Sequence, residues 1–125
     1  MLKKNITCNN ITNLLYYKKK DLVILKQAQR ELKEAPKDIL KDLFALFDDL
    51  MEGQKLSMPV SRPLFSIAKG LHELRLSGRA GEFRVFYMIR TEDIIYVIHA
   101  DSKKKQEMDK KTKAILETRI RSLEI

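Results

Sequence analysis

Three short apolar runs, rich in β-branched and aromatic residues and separated by polar turns, occupy the stretch from Leu71 to Ala100. They fix what this chain can become. Runs of this length and composition bounded by Gly, Ser, Thr and Asp read as strands, and connections this short make consecutive strands antiparallel neighbours. Leu71–Ser77 alternates loosely. Phe83–Arg90 places Phe83, Val85, Tyr87 and Ile89 on one face and Arg84, Phe86, Met88 and Arg90 on the other. Ile94–Ala100 is apolar on both faces, as a central strand is. Thr91-Glu92-Asp93 makes one tight hairpin connection, and the Ser77–Glu82 loop, with Gly78 and Gly81, makes another.

The flanking segments read as helices. The Leu22, Leu25, Ala28, Leu32 rhythm predicts a short helix opened by Asp21 as N-cap and stopped at Pro36. Ile39, Leu40, Leu43, Phe44, Leu46, Phe47, Leu50 and Met51 give the clearest helical stripe, ended by Gly53. Residues Gln54–Lys69, with Pro59 and Pro63, read as a connector holding at most a short extended piece. Ile11–Tyr17 suits a weak first strand, and Met108, Ile115, Leu116, Ile120 and Leu123 stripe a closing helix from about Lys104 to Leu123. The expected architecture is α+β, in the order β-α-α-β-β-β-α, with an antiparallel-dominated sheet and helices on one side. At 125 residues, positions 1–125 are expected to form one domain.

Several function classes drop out on composition. No apolar run reaches the ~18–20 residues that span a bilayer, and Met1–Cys8 lacks a signal-peptide core, so a cytoplasmic protein without membrane association is expected. The single Cys8 sits in a polar stretch and reads as a dispensable surface thiol. With one Cys and only His72 and His99, no metal site and no cofactor are expected.

The charge points toward anions. Lys plus Arg outnumber Asp plus Glu by 25 to 17, and the excess is spread along the chain with clusters at Lys18–Lys20, Lys103–Lys105 and Lys110–Lys113. Either phosphate neutralisation on a nucleic acid or ordinary solubility accounts for such a balance. The placement of Arg75 and Arg84 inside strands is more specific. A guanidinium in a covered core needs a partner to offset desolvation. The expectation is therefore that Arg84's face of the sheet is open, with Arg75, Lys103 and Lys104 converging on one concave basic surface. The structural alternative is ion pairing of Arg75 and Arg84 with Glu73, Glu82 or Glu92. Tyr87, by strand parity, belongs to the opposite face and to the core. His72 reads as structural or rim-lining, and His99 either as a proton carrier or as a strand-end histidine with its bonds satisfied.

Three pieces in order, Gly-Leu-His-Glu-Leu-Arg, Phe-Arg-Val-Phe-Tyr and Ile-His-Ala-Asp-Ser-Lys-Lys-Lys-Gln, resemble the RelE superfamily of bacterial toxins, and its phage-related HigB-type branch in particular. The resemblance runs from Lys69 to about Arg121. It implies a type II toxin–antitoxin system whose toxin is a metal-independent mRNA endonuclease working on the ribosome. It further implies mRNA and ribosome as partners, together with a cognate antitoxin of helix-turn-helix type. Carried over by motif, Arg84 matches the arginine at the scissile phosphate and Arg75 the basic position of the preceding strand. Lys103 or Lys104 matches the basic group after the last strand, and His99 the histidine at its end. Lys69, Arg79 and Lys105 are added as RNA contacts. Three departures stand out: His72 replaces an aromatic residue, Asp101 replaces an apolar or aromatic one, and the last helix has no Tyr. A non-catalytic RNA- or ribosome-binding module on the same fold is the other reading.

Overall fold

The computed structural model describes residues 19–103 and 108–123. Strand β1 (Asp21–Ile24) leads into helices α1 (Lys26–Leu32) and α2 (Lys37–Met51). Strands β2 (Ser61–Pro63), β3 (Leu71–Gly78), β4 (Gly81–Ile89) and β5 (Ile94–Lys103) follow, and helix α3 (Lys110–Arg121) closes the fold. The sheet order is β1-β5-β4-β3-β2. β1 pairs parallel with β5, and every other neighbouring pair is antiparallel.

The expected α+β class and the three-strand meander stand, and three details change. The segment expected to open a helix at Asp21 is instead strand β1. Leu22 and Ile24 pack against the core while Asp21 and Val23 face outward, a period of two rather than 3.6. Hydrogen bonds from Asp21 N–H to Asp93 O (2.7 Å), just before β5, and from Leu25 N–H, just after β1, to Val97 O (3.1 Å) flank the pairing. Leu25, not Asp21, is the N-cap of α1, and no side-chain cap bond forms there. The weak strand expected at Ile11–Tyr17 lies outside the described residues.

Second, the helices do not share one side. α1 and α2 bury Ala28, Leu32, Ile39, Leu43, Phe47 and Leu50 against Leu74, Leu76, Phe83, Val85, Tyr87, Ile95 and Val97. α3 lays Leu116 over the opposite face, on Leu71, Phe86, Met88 and Ile98. Phe86, Met88 and Ile98 would otherwise put three large apolar side chains in water, so that face demands a cover. Third, the described part of the closing helix begins at Lys110, where Asp109 caps it by accepting a hydrogen bond from Thr112 N–H at 2.7 Å.

Two backbone features set the register. Gly70 has φ +85°, and a Cβ there would lie 2.5 Å from Ile89 O. Glycine thus lets β3 start hard against the end of β4, where Ile89 N–H donates to Gly70 O at 3.0 Å. Between Phe86↔His99 and Tyr87↔Val97 the β4–β5 register shifts by one residue at Ile98. Strict alternation from Val97 would send His99 into the core beneath α1 and α2. The bulge turns it, and then Asp101, to the face covered by α3.

Candidate nucleic-acid interface

Strand parity gathers the polar side chains of four strands onto the α3 face. Register pairs Arg62 with Glu73 and Glu73 with Phe86. It pairs Arg75 with Arg84, and Arg84 with Asp101. Phe86 lies opposite His99, and their rings stack at 5.7 Å. Charged groups thus run in a band across the sheet, and the helices supply Glu31, Thr112 and Arg119 to its far end.

Arg84 is the centre of that band. Only 5% of it is exposed. Its Nε donates to Asp101 Oδ1 at 2.5 Å, one Nη to Asp101 Oδ2 at 3.1 Å, and the same Nη to Thr112 Oγ1 at 3.0 Å. The other Nη lies 3.9 Å from Glu73 Oε2, and the guanidinium carbon sits 5.2 Å from the centre of the Phe86 ring. The open, purely basic face expected around Arg84 is therefore not what forms. α3 covers it, and carboxylates supply the partners that desolvation requires. Ion pairing describes it better, but the principal partner is Asp101, which the alternative did not name, with Glu73 behind it and neither Glu82 nor Glu92 in an ion pair with Arg84 among the described residues. Arg75 also follows the alternative, its Nε 3.5 Å from Glu73 Oε1. Glu73 is fully buried, and Arg62 Nη donates to the same Oε1 at 2.8 Å.

His99, 5% exposed, is suspended between two carboxylates: Nδ1 is 3.0 Å from Glu31 Oε1 and Nε2 is 3.0 Å from Asp101 Oδ2. Glu31 is itself clamped. Arg119 reaches both its oxygens, at 2.8 and 2.9 Å, and Ala100 N–H donates to it at 3.2 Å. Burial pushes the Glu31 carboxyl upward, but the Arg119 hydrogen bond, the His99 ring and the Ala100 amide together hold it below the usual carboxylate range. Asp101 behaves alike: burial raises it, while the bonds from His99 and Arg84 bring it below its ordinary value. Arg119 Nη1 also lies 3.2 Å from His99 Nδ1, so three charged side chains, Glu31, Asp101 and Arg119, meet the ring.

This end of the band opens into a cleft of about 410 Å³ lined by Arg84, His99, Asp101, Ser102, Asp109, Lys111, Thr112 and Ile115. Its lining balances Arg84 and Lys111 against Asp101 and Asp109, so the cleft is mixed rather than basic. Chemically it offers an arginine fork, an imidazole and a carboxylate within one hydrogen-bonded unit.

Of the residues singled out from sequence, Arg84, Arg75 and His99 share this face. Lys103 is paired with Glu82 through the backbone at the end of β5; its side chain, and Lys104 and Lys105 entirely, lie outside what is described. Arg79 sits in the β3–β4 turn, where its backbone N–H donates to Asp38 Oδ2 at 3.0 Å. Lys69 lies at the opposite end of β3 from Arg84, beyond Gly70. Tyr87 is core, as parity requires, 1% exposed with its hydroxyl 2.8 Å from Ser61 Oγ. Glu31, Thr112 and Arg119 were missed. They come from helices distant in sequence, and only the apolar stripe placing Leu116 inward hints that Thr112, four residues earlier, shares its face.

The phage-derived protein Gp49-like (DUF891) family model matches residues 30–121, which includes every element from within α1 to α3. Among solved structures, an arginine-to-alanine double mutant of the Escherichia coli toxin RelE in the free state superposes with a TM-score of 0.62 at 14% identity, covering 82% of this chain and 98% of that one. The toxin–antitoxin complex RelBE2 from Mycobacterium tuberculosis gives 0.50 at 22% identity, with 68% and 99% covered. No curated protein sequence matches the chain. The chain therefore belongs to the phage-derived Gp49-like family and is built on the RelE toxin fold.

Proposed function

We propose that this protein is the toxin of a type II toxin–antitoxin system and cleaves mRNA on the ribosome without metal, as an endoribonuclease of the HigB type. The observation that carries the reading is His99, held by Glu31 and Asp101 beside the Arg84 fork at the mouth of a cleft. Metal-free RNA cleavage needs a base for the 2′-hydroxyl, cations for the phosphorane, and an acid for the departing 5′-oxygen. His99, an imidazole bonded at both ring nitrogens, suits the acid. Arg84 suits the phosphorane, since it stays charged and binds oxygens in pairs. Asp101 already lies across Arg84 and His99 where a phosphate would have to sit, so RNA takes its place and frees the carboxylate as a proton acceptor. Arg75, Lys103 and Lys104 add positive field. A separate antitoxin restrains the activity, and the site of action is the cytoplasm.

One observation favours a second reading, a non-catalytic RNA- or ribosome-binding module: Asp101 engages both edges of the Arg84 fork that a phosphate would use. Primer extension on a translated message separates the two. Wild-type protein should create new 5′ ends only when ribosomes are present, and His99→Asn should abolish them while leaving the circular dichroism spectrum unchanged. If wild-type protein sediments with ribosomes and arrests translation without cutting, the module reading replaces the enzyme reading.

A further inference from the structure

A second cleft, of about 710 Å³, opens at the other end of the β3–β4 pair, between the layer of α2 and that of α3. Its chemistry differs from the Arg84 cleft. Lys55, Lys69 and Arg90 line it together with Phe65, His72 and Tyr87, and its thirteen lining residues include no carboxylate. The rings are arranged, not scattered. His72 stacks parallel on the buried Tyr87 (5.0 Å, 11° between planes) and meets Phe65 edge-on at 5.9 Å. Phe65 itself is 64% exposed, so its ring is open to a ligand.

His72 is set for neutral stacking. Its Nδ1 lies 3.0 Å from Gly70 O, which obliges that nitrogen to donate and makes Nε2 an acceptor. Burial lowers its pKa, which favours the uncharged ring. A stacked ring pair beside an exposed ring, among described lining residues whose only charges are cationic, matches unpaired nucleotides: bases have π-faces for the rings, and phosphates answer the lysines and arginine. An apolar peptide would fill the floor but would leave three cations unanswered.

We propose that this cleft holds an unpaired base of single-stranded RNA, stacked on Phe65 and beside His72, with the adjoining phosphates on Lys55, Lys69 and Arg90. It is a binding subsite distinct from the Arg84 cleft. Along β3 alone, Leu71 and Arg75 are four residues apart, roughly 13 Å. The proposal rests on the reading that the protein engages RNA, and it assigns Lys69 to this subsite rather than to the reacting phosphate.

Fluorescence anisotropy of a labelled single-stranded RNA hexanucleotide against the full chain tests it, with a duplex of the same sequence as competitor. Phe65→Ala should weaken binding roughly 5- to 150-fold, the loss expected for one base–aromatic stack. Phe65→Leu, which keeps apolar bulk without the π-face, should weaken it comparably. Lys69→Gln should lower the slope of log affinity against log salt by about one, and the duplex should compete poorly. Both Phe65 variants should melt with wild-type protein, because the ring is exposed. Phe65→Leu binding like wild type would overturn the base-stacking assignment in favour of an apolar partner. Unchanged affinity in Phe65→Ala, with wild type still cutting messages, would overturn the subsite and leave the endonuclease reading standing. A wild-type chain that neither binds nor cuts RNA would overturn both.

Discussion

Replacing Arg84 tests the fold before it tests chemistry. The Arg84 side chain is 7% exposed and that of Asp101 27%. Removing one member of a buried pair typically costs ~3–5 kcal/mol, because the other charge is stranded. Here the partial exposure of Asp101 and its remaining bond from His99 soften that loss, so Arg84→Ala should cost about 2–3 kcal/mol. For a domain of this size that is a drop in melting temperature of roughly 8–12 °C. Urea unfolding at pH 7, followed by circular dichroism, measures it, and an unchanged m-value certifies that only stability moved. The double replacement Arg84→Met with Asp101→Leu should be less damaging than the two single losses added together, since apolar groups can fill a desolvated ion-pair site. The coupling should be on the order of 1–3 kcal/mol. An Arg84→Ala protein within about 0.5 kcal/mol of wild type would refute the argument. That result, ordinary for surface changes, would mean that water reaches Arg84 and that Asp101 and Glu73 do not govern its environment. Any loss of activity on changing Arg84 is therefore informative only alongside the stability measurement.

Two further outcomes follow from the same geometry. Glu31 and Asp101 have folded-state pKa values below their ordinary ones, so each stabilises the fold fully at neutral pH. The contribution fades as pH falls below the normal carboxylate range and through the depressed folded values. Glu31→Gln should flatten the acid limb of a stability–pH curve between about pH 5 and pH 2, and an unchanged limb would contradict the clamp. Gly70→Ala should destabilise the chain by at least ~1 kcal/mol, because its φ is +85° and the added Cβ would meet Ile89 O at 2.5 Å. Thermal melting checks this, and a neutral result would show that the β3–β4 end relaxes freely.

Local pattern carried the fold well wherever it was unambiguous. The apolar stripe of residues 39–51 became α2, and the alternation of residues 83–90 correctly divided Tyr87 from Arg84. It failed at Asp21–Ile24, where Leu22, Leu25 and Ala28 fit a helical period as well as a strand running into a helix. Pairing with β5 decided between them, and Asp21 and its partner Ile94 lie 73 residues apart in sequence. The placement of α3 on the second face was equally non-local, since a stripe states that a helix buries one side but not which layer it meets.

The site divides in the same way. Its strand residues could be named from the sequence, because Arg75, Arg84 and His99 are conspicuous in apolar strands. Their electrostatic state could not. Whether a strand arginine faces water or a carboxylate depends on what packs over it, and here α3 and Asp101 cover Arg84. The face His99 occupies depends on one bulged residue, Ile98, which alternation does not announce. Sequence alone determined the three-strand meander, the α2 stripe and which residues carry charge, since periodicity and turn chemistry are local. Only the tertiary structure decided that Glu31 and Arg119 clamp His99 and that the strand arginines face carboxylates, because those contacts join segments up to 88 residues apart.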